Sequence, residues 1–332
     1  MKNQTARLRA LQLSRAVVTS GLWIVLCFAV VLGAEDAAKY PGKLGIARAK
    51  NLSPEQREVE ARFAAYLEAN TDEAIGRYIE KFGNEINSDN VRELSPDYAP
   101  GGLEAEDPAT RAARTRWGDA VHEPASALTR EIYRRALRKD SASEKRKQVV
   151  FTAGGAGVGK TASIRKLADL SHAIEAAEIV YDTTLSSFGS AVERIAQALD
   201  AGRVVSIAFV YRDPVDSLVD GVLPRARMMG RTVPLEILLN THLGAVETIL
   251  EIAEFYKNDP RVAVAVIDNR DGTGNATAAD LEFVERMARK YNRESLQAAL
   301  LRALEDAYEK GQKDDKNGIS ESIYRAIKGH VP

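Results

Sequence analysis

Between a short apolar run, Val149-Val150-Phe151-Thr152-Ala153, and a helical pattern stands Gly154-Gly155-Ala156-Gly157-Val158-Gly159-Lys160-Thr161. This is G-x-x-x-x-G-K-T, and it restricts the fold around it to a strand, a tight turn and a helix that together wrap a polyphosphate. Glycines at 154, 155, 157 and 159 are expected to take positive φ and bring backbone N–H groups close to phosphate oxygens. Lys160 supplies a point charge for the β- and γ-phosphates, and the Thr161 hydroxyl a ligand for Mg²⁺. Residues 159–177 read as one helix with its positive end toward the phosphates. A Gly-rich turn of no further significance would not need these flanks. The expected ligand is ATP or GTP with Mg²⁺.

The rest of the 332-residue chain narrows the class. A formal net charge of −1 gives no global pull toward nucleic acid, and 6% aromatic residues offer no stacking platform for single strands. No nucleic-acid partner is expected. Cys27 is the sole cysteine, so intrachain disulfides and cysteine-rich zinc sites are excluded. The four histidines, 122, 172, 242 and 330, show no metal-ligand spacing.

At the N-terminus, Lys2, Arg7, Arg9 and Arg15 precede Ala16–Ala34, a run free of charge. As a helix it would span about 28 Å, close to the hydrocarbon thickness of a bilayer. Basic residues before it and Glu35-Asp36 after it orient the N-terminus inward and the remainder outward. It reads as an uncleaved membrane anchor, as a signal peptide cut after Leu32-Gly33-Ala34, or as a buried helix of the folded part. The expected location is membrane-anchored or exported. A nucleotide requirement instead favours a final site with access to ATP, and the two expectations conflict.

Four parts are expected: 1–34, the signal peptide or anchor; 35–83, a linker and helical segment; 84–275, the P-loop domain; and 276–332, a C-terminal helical segment. Ser53-Pro54-Glu55-Gln56 predicts a capping box opening a helix to about Ala69, and Thr71-Asp72-Glu73 a second helix ending near Gly83. Residues 84–102 are strand or loop, 99–109 a surface loop and 110–139 helical. After the P-loop come a strand at 178–182, a helix at 189–201, a strand at 203–211, helices at 214–229 and 234–258, a last strand at 262–268, and helices over 277–310 and 319–328. Short apolar strands alternating with helices predict an α/β fold, a parallel sheet of about five strands with helices on both faces.

From 149 to 275 the chain resembles the zeta toxin family of P-loop kinases. Asp182-Thr183-Thr184-Leu185 is similar to the family's acidic-x-Thr-Leu, Val219–Pro234 with Arg225, Arg227 and Arg231 to its arginine-bearing lid, and Val266-Ile267-Asp268-Asn269 to its terminal strand and turn. The family's D-x-D-x-x-R-x-x-x-P-x-Y segment should follow the P-loop helix. Here Lys160 and Glu178 are only eighteen positions apart, room for the helix alone. The pattern stands upstream instead, at Asn87-Ser88-Asp89-Asn90-Val91-Arg92-Glu93-Leu94-Ser95-Pro96-Asp97-Tyr98, with Asn87 in place of the first acid. A strand contributed from the N-terminal side can complete the same sheet, because neighbours in a sheet need not be consecutive.

The resemblance implies a kinase transferring the γ-phosphate to a hydroxyl of a small molecule, such as the nucleotide sugar UDP-N-acetylglucosamine. An antitoxin or immunity protein is the implied partner. Asp89, Arg225, Arg227 and Arg231 would be catalytic, and Arg92, Asp182 and Thr184 would face the substrate. Residues 154–161 would hold the nucleotide and Thr161 the metal. Plainer readings stand beside these: Asp89 as a helix N-cap, Asp182 as a strand terminus, the arginines as a solvated helix face, and His122 as a hydrogen-bonded structural residue. The rival function is a non-catalytic or switch-type nucleotide-binding module tethered to a membrane.

Overall fold

The computed structural model of the chain describes residues 42–141, 147–313 and 316–329. The apolar run at 16–34 lies outside them. Among the described residues no helix is long and apolar enough to cross a membrane.

Two helices lead into the sheet. Ser53 caps α1 (Pro54–Ala69) through the capping box with Gln56, with Pro54 in the first turn. Then α2 (Thr71–Phe82) stops at Gly83, whose φ is 62°. The chain enters β1 (Glu85–Ile86) and turns into α3 (Ser88–Arg92). The stretch predicted helical at 110–139 is two helices, α4 (Pro108–Trp117), capped by Asp107, and α5 (His122–Arg138). The break falls after Trp117 at Gly118, a poor helix former, and Pro124 sits in the first turn of α5, where a missing N–H is tolerated.

Next come β2 (Gln148–Ala153), the P-loop, α6 (Lys160–Ile164), α7 (Ala168–Ala176), β3 (Ile179–Asp182), α8 (Phe188–Asp200) and β4 (Val204–Tyr211). The single helix expected over 159–177 is thus interrupted. Leu167 is extended, with φ −100° and ψ 103°. Leu167, Leu170 and Ile174 still pack on Val158 and Ile164, so the apolar periodicity survives a break that no glycine or proline marks.

The helix expected over 214–229 is also divided: α9 (Pro214–Ser217), a π-helical turn at Leu218–Val222, then α10 (Leu223–Met229). Pro224 lacks an N–H and its ring crowds the carbonyl four residues back, so a wider turn relieves the register there. After α11 (Leu235–Phe255) and β5 (Val262–Asp268) the chain forms β6 (Thr277–Ala279), then α12 (Leu281–Ala288), α13 (Arg293–Gln312) and α14 (Glu321–Lys328).

The sheet has six strands rather than five, in the order β1-β3-β2-β4-β5-β6. The unexpected strand is β6, which pairs antiparallel with β5; all other pairs are parallel. Three residues after a turn carry too little pattern to announce a strand. Helices cover both faces, as alternation along β4 records. Val205, Ile207, Phe209 and Tyr211 join the main core, whereas Ala208 and Val210 join the cluster beneath α6. Under α5, the rings of Tyr133, Phe151 and Tyr181 meet with centroids 4.9 to 6.1 Å apart. The C-terminal helices build a second core: Leu296, Leu300, Leu304, Ile319 and Ile327 pack with Leu218, Val222, Leu223 and Ala226 of the 214–229 segment. The described residues form one compact unit.

Candidate functional site

The parallel register Glu85↔Val180 and Ile86↔Tyr181 makes β1 the neighbour of β3, which in turn neighbours the P-loop strand. The segment that follows β1 therefore opens at the same carboxyl edge of the sheet as the P-loop, where α/β sheets bind ligands. In the loop itself Gly154, Gly157 and Gly159 have φ of 131°, 79° and 78°. Gly155 does not take positive φ, contrary to expectation. A Cβ there would lie 2.6 Å from the ring of His242, so this glycine is a matter of space rather than of conformation. Gly157 and Gly221 meet face to face: a Cβ on Gly221 would lie 2.3 Å from the Gly157 carbonyl oxygen. The π-helical turn thus rests directly on the P-loop.

Lys160 Nζ donates to the Thr183 carbonyl at 2.9 Å and stands 3.0 Å from Asp182 Oδ1. That oxygen also accepts the Thr152 hydroxyl at 2.6 Å, and Oδ2 accepts Asn87 Nδ2 at 2.8 Å. Thr161 is exposed at the start of α6. One hydroxyl and one carboxylate are what Mg²⁺ takes from a protein when phosphates and waters complete its shell, and Asp182 Oδ2 accepts one bond of the two open to it. The residues fit such an ion. Among the described residues no group of His, Cys, Asp and Glu could hold a metal unaided. Thr184 adjoins the loop, its carbonyl accepting Gly154 N–H at 3.3 Å and its hydroxyl 3.0 Å from that of Ser186. Leu185 is held at φ 46°, with its side chain buried in the core; such a left-handed leucine is strained backbone beside the site.

Asp89 is not the cap of α3. Asn87 is, its Oδ1 accepting Asp89 N–H at 2.8 Å, which leaves the Asp89 carboxylate free to project. Arg92 NH1 and Arg225 NH2 approach its two oxygens at 3.5 Å each. Burial would raise this carboxyl, but Arg92, Arg225, Arg231 and Lys160 together hold it well below the usual carboxylate range. The other face of the Arg92 guanidinium donates to His122 Nδ1 at 2.7 Å. Desolvation and then the Arg92 charge lower that imidazole to about 4, so His122 is a neutral acceptor. Tyr98, at the end of the D-x-D-x-x-R-x-x-x-P-x-Y segment, is buried, and burial raises its phenol.

The three lid arginines separate. Arg225 faces Asp89, and Arg231 NH2 reaches Glu93 Oε1 at 2.9 Å. Arg227 turns away and donates to the Asn317 carbonyl ahead of α14, which the sequence did not foresee. Chemically the arrangement offers a phosphate cradle, a lysine, a carboxylate–hydroxyl pair for a cation, and a carboxylate that the surrounding arginines favour in its ionised form.

Comparison with known proteins finds a family likeness over part of the chain. Residues 170–276 match the zeta toxin family model. Solved structures similar to the chain include the AvrRxo1-ORF1:ORF2 complex in native form, at 13% identity over 65% of this chain and 94% of that one, TM-score 0.36. The same complex with sulphate ions and with ATP gives 13% identity over 70% and 91%, TM-score 0.35. No curated protein matches the sequence. The zeta toxin match runs from α7 to the turn after β5, so β1, Asp89 and the P-loop lie before it.

Two residues around the site escaped sequence reading. Glu93 is fully buried and bridges Arg231 to Arg114, whose NH2 stands 2.6 Å from its Oε2. With both members of the inner pair dry, removing Glu93 would strand the Arg114 charge at a cost of about 3–5 kcal/mol. Glu93 neighbours Arg92 in sequence, but nothing local separates it from a surface acid. The other is His242, 4% exposed within α11, whose role depends on a loop 86 residues away.

Proposed function

We propose that this chain is a kinase that transfers the γ-phosphate of ATP to a hydroxyl of a small molecule, of which a nucleotide sugar such as UDP-N-acetylglucosamine is the first to test. The single observation that carries this reading is the Asp89 carboxylate, which faces Arg92 and Arg225 and lies under the charges of Arg231 and Lys160. A switch needs only the phosphate cradle. An ionised carboxylate set among cations is what phosphoryl transfer uses, because it orients an acceptor hydroxyl while the cations neutralise charge on the group in transit.

In this reading the loop 154–161 and Lys160 hold the phosphates. Thr161 and Asp182 would hold Mg²⁺, which when bound would supply positive charge to offset that of the phosphates. Asp89 receives the acceptor hydroxyl, and Arg92 and Thr184 border the acceptor. The low basicity of Asp89 suits a loose transition state, in which the acceptor proton leaves late. Arg225 and Arg231 approach the transferring phosphoryl, and Arg227 braces α10. The zeta toxin match makes an antitoxin the partner to expect.

The test is ATP turnover by the full chain with and without a pool of nucleotide sugars, read by ADP release and by mass spectrometry of the pool. ADP release that requires one metabolite, which gains a phosphoryl group, supports the kinase. Release that is independent of every metabolite, or bound ATP without turnover, favours the switch. Lys160→Ala should abolish either activity in a folded protein.

A further inference from the structure

The P-loop is held from outside by two side chains whose contacts with it the sequence did not announce. His242 Nε2 lies 2.9 Å from the Ala156 carbonyl oxygen, and Asn269 Nδ2 lies 2.6 Å from that of Val158. They come from unrelated places, the middle of α11 and the turn after β5. A carbonyl can only accept, so the His242 proton is on Nε2. Burial lowers that imidazole to about 4 and keeps the ring neutral with a single proton. Asn269 is fully buried and fixed by its own N–H to the Tyr211 carbonyl at 2.8 Å, yet its Oδ1 has no hydrogen-bond partner among the described residues. A side chain that leaves its own buried acceptor unpaired in order to hold a carbonyl is poorly explained by stability alone.

Peptide geometry gives these contacts a consequence. In a trans peptide the C=O of one residue and the N–H of the next point in opposite directions. Drawing the Ala156 carbonyl toward α11 aims the Gly157 N–H the other way. Drawing the Val158 carbonyl toward β5 does the same to the Gly159 N–H. Both glycines have positive φ, as the alternation of outward carbonyls and inward amides demands.

We propose that His242 and Asn269 are positioning residues for phosphate binding: they pin alternate P-loop carbonyls outward so that the Gly157 and Gly159 amides converge on the phosphates. This rests on the nucleotide-binding reading above. Gly155 belongs to the same device, since its missing Cβ admits the His242 ring.

The experiment measures the affinity of the full chain for ATP and for inorganic tripolyphosphate by calorimetry, together with thermal stability. His242→Phe keeps a ring without the donor. Asn269→Leu removes the donor and the unpaired acceptor together. Each should weaken both ligands by about tenfold, the scale of one hydrogen bond, and by the same factor for each ligand. Asn269→Leu should melt close to wild type, and His242→Gln, which keeps an N–H at the ε position, should recover most of the affinity. Folded variants that bind tripolyphosphate like wild type would overturn the proposal, as would a His242→Gln variant that folds but binds no better than His242→Phe. If wild type binds neither ligand, it is the nucleotide reading that fails, and this inference with it.

Discussion

Asn87 Nδ2 donates to Asp182 Oδ2 across 2.8 Å, joining residues 95 positions apart. The same amide caps α3 through its Oδ1, so one side chain ties the upstream segment to the end of β3 and aims Asp89. An acid at 87, as the zeta-toxin-like pattern has it, would set two carboxylates against each other here, with Lys160 already committed to the other oxygen of Asp182.

Asn87→Asp should therefore destabilise the chain by about 1–3 kcal/mol at neutral pH, the cost of a lost donor and an unpaired acceptor. The new carboxyl is raised in the folded state by Asp182, so its penalty is absent while it stays protonated and grows as pH rises through its folded pKa. Melting curves from pH 4 to pH 8 should show the variant diverging from wild type toward alkaline pH. A constant difference would mean that the two groups do not interact.

Asp89→Asn should leave ATP affinity close to wild type and slow phosphoryl transfer by about 10²-fold or more. Burial raises the Asp89 carboxyl, but the four cations around it outweigh burial and lower it. It stays ionised through neutral pH, and the wild-type rate should show no acid limb from this group above pH 5. The stability it contributes is present above the ordinary carboxylate range and lost as pH falls toward its folded value. A rate profile with a limb near pH 6 would point to a different base.

Arg225→Ala and Arg231→Ala should lower kcat more than they raise KM for ATP, since charge on the phosphoryl is greatest in transit. Arg227→Ala should spare kcat, because its guanidinium holds the Asn317 carbonyl rather than the Asp89 side of the lid. Arg231→Ala should also lower Tm by leaving Glu93 with Arg114 alone. Equal kinetic losses at all three positions would show that the lid turns Arg227 inward during turnover.

Gly221→Ala puts a Cβ 2.3 Å from the Gly157 carbonyl oxygen, where backbone must move. It should cost about 1–3 kcal/mol and weaken nucleotide binding by spreading the π-helical turn from the P-loop. Gly76→Ala, in the exposed middle of α2 with nothing within 4 Å of the new methyl, should instead stabilise by about 0.5–1 kcal/mol. Thermal melts and ATP titrations of the pair distinguish a steric effect from a general intolerance of glycine replacement.

The strand–loop–helix at 148–164, the parallel α/β plan and the helix caps at Ser53 and Gly83 were legible in the amino-acid sequence, because each depends on neighbours within a few residues. Periodicity, a capping side chain and a glycine's φ are local physics. Family resemblance extended that reading to Asp89 and the lid by pattern. The break at Leu167 and the strand β6 were not legible, since packing against partners distant in sequence chose them. At Leu218–Val222, Pro224 marks a disturbed helix, but not that a π-helical turn would resolve it.

Only tertiary structure decided which arginine faces Asp89, that Asn87 rather than Asp89 caps α3, and that Glu93 and His242 matter at all. Each is an interaction over 80 residues or more, or a choice among equivalent local conformers. Charge and hydrogen-bonding type are written in the sequence, whereas the direction of a side chain is settled by what the fold brings opposite it.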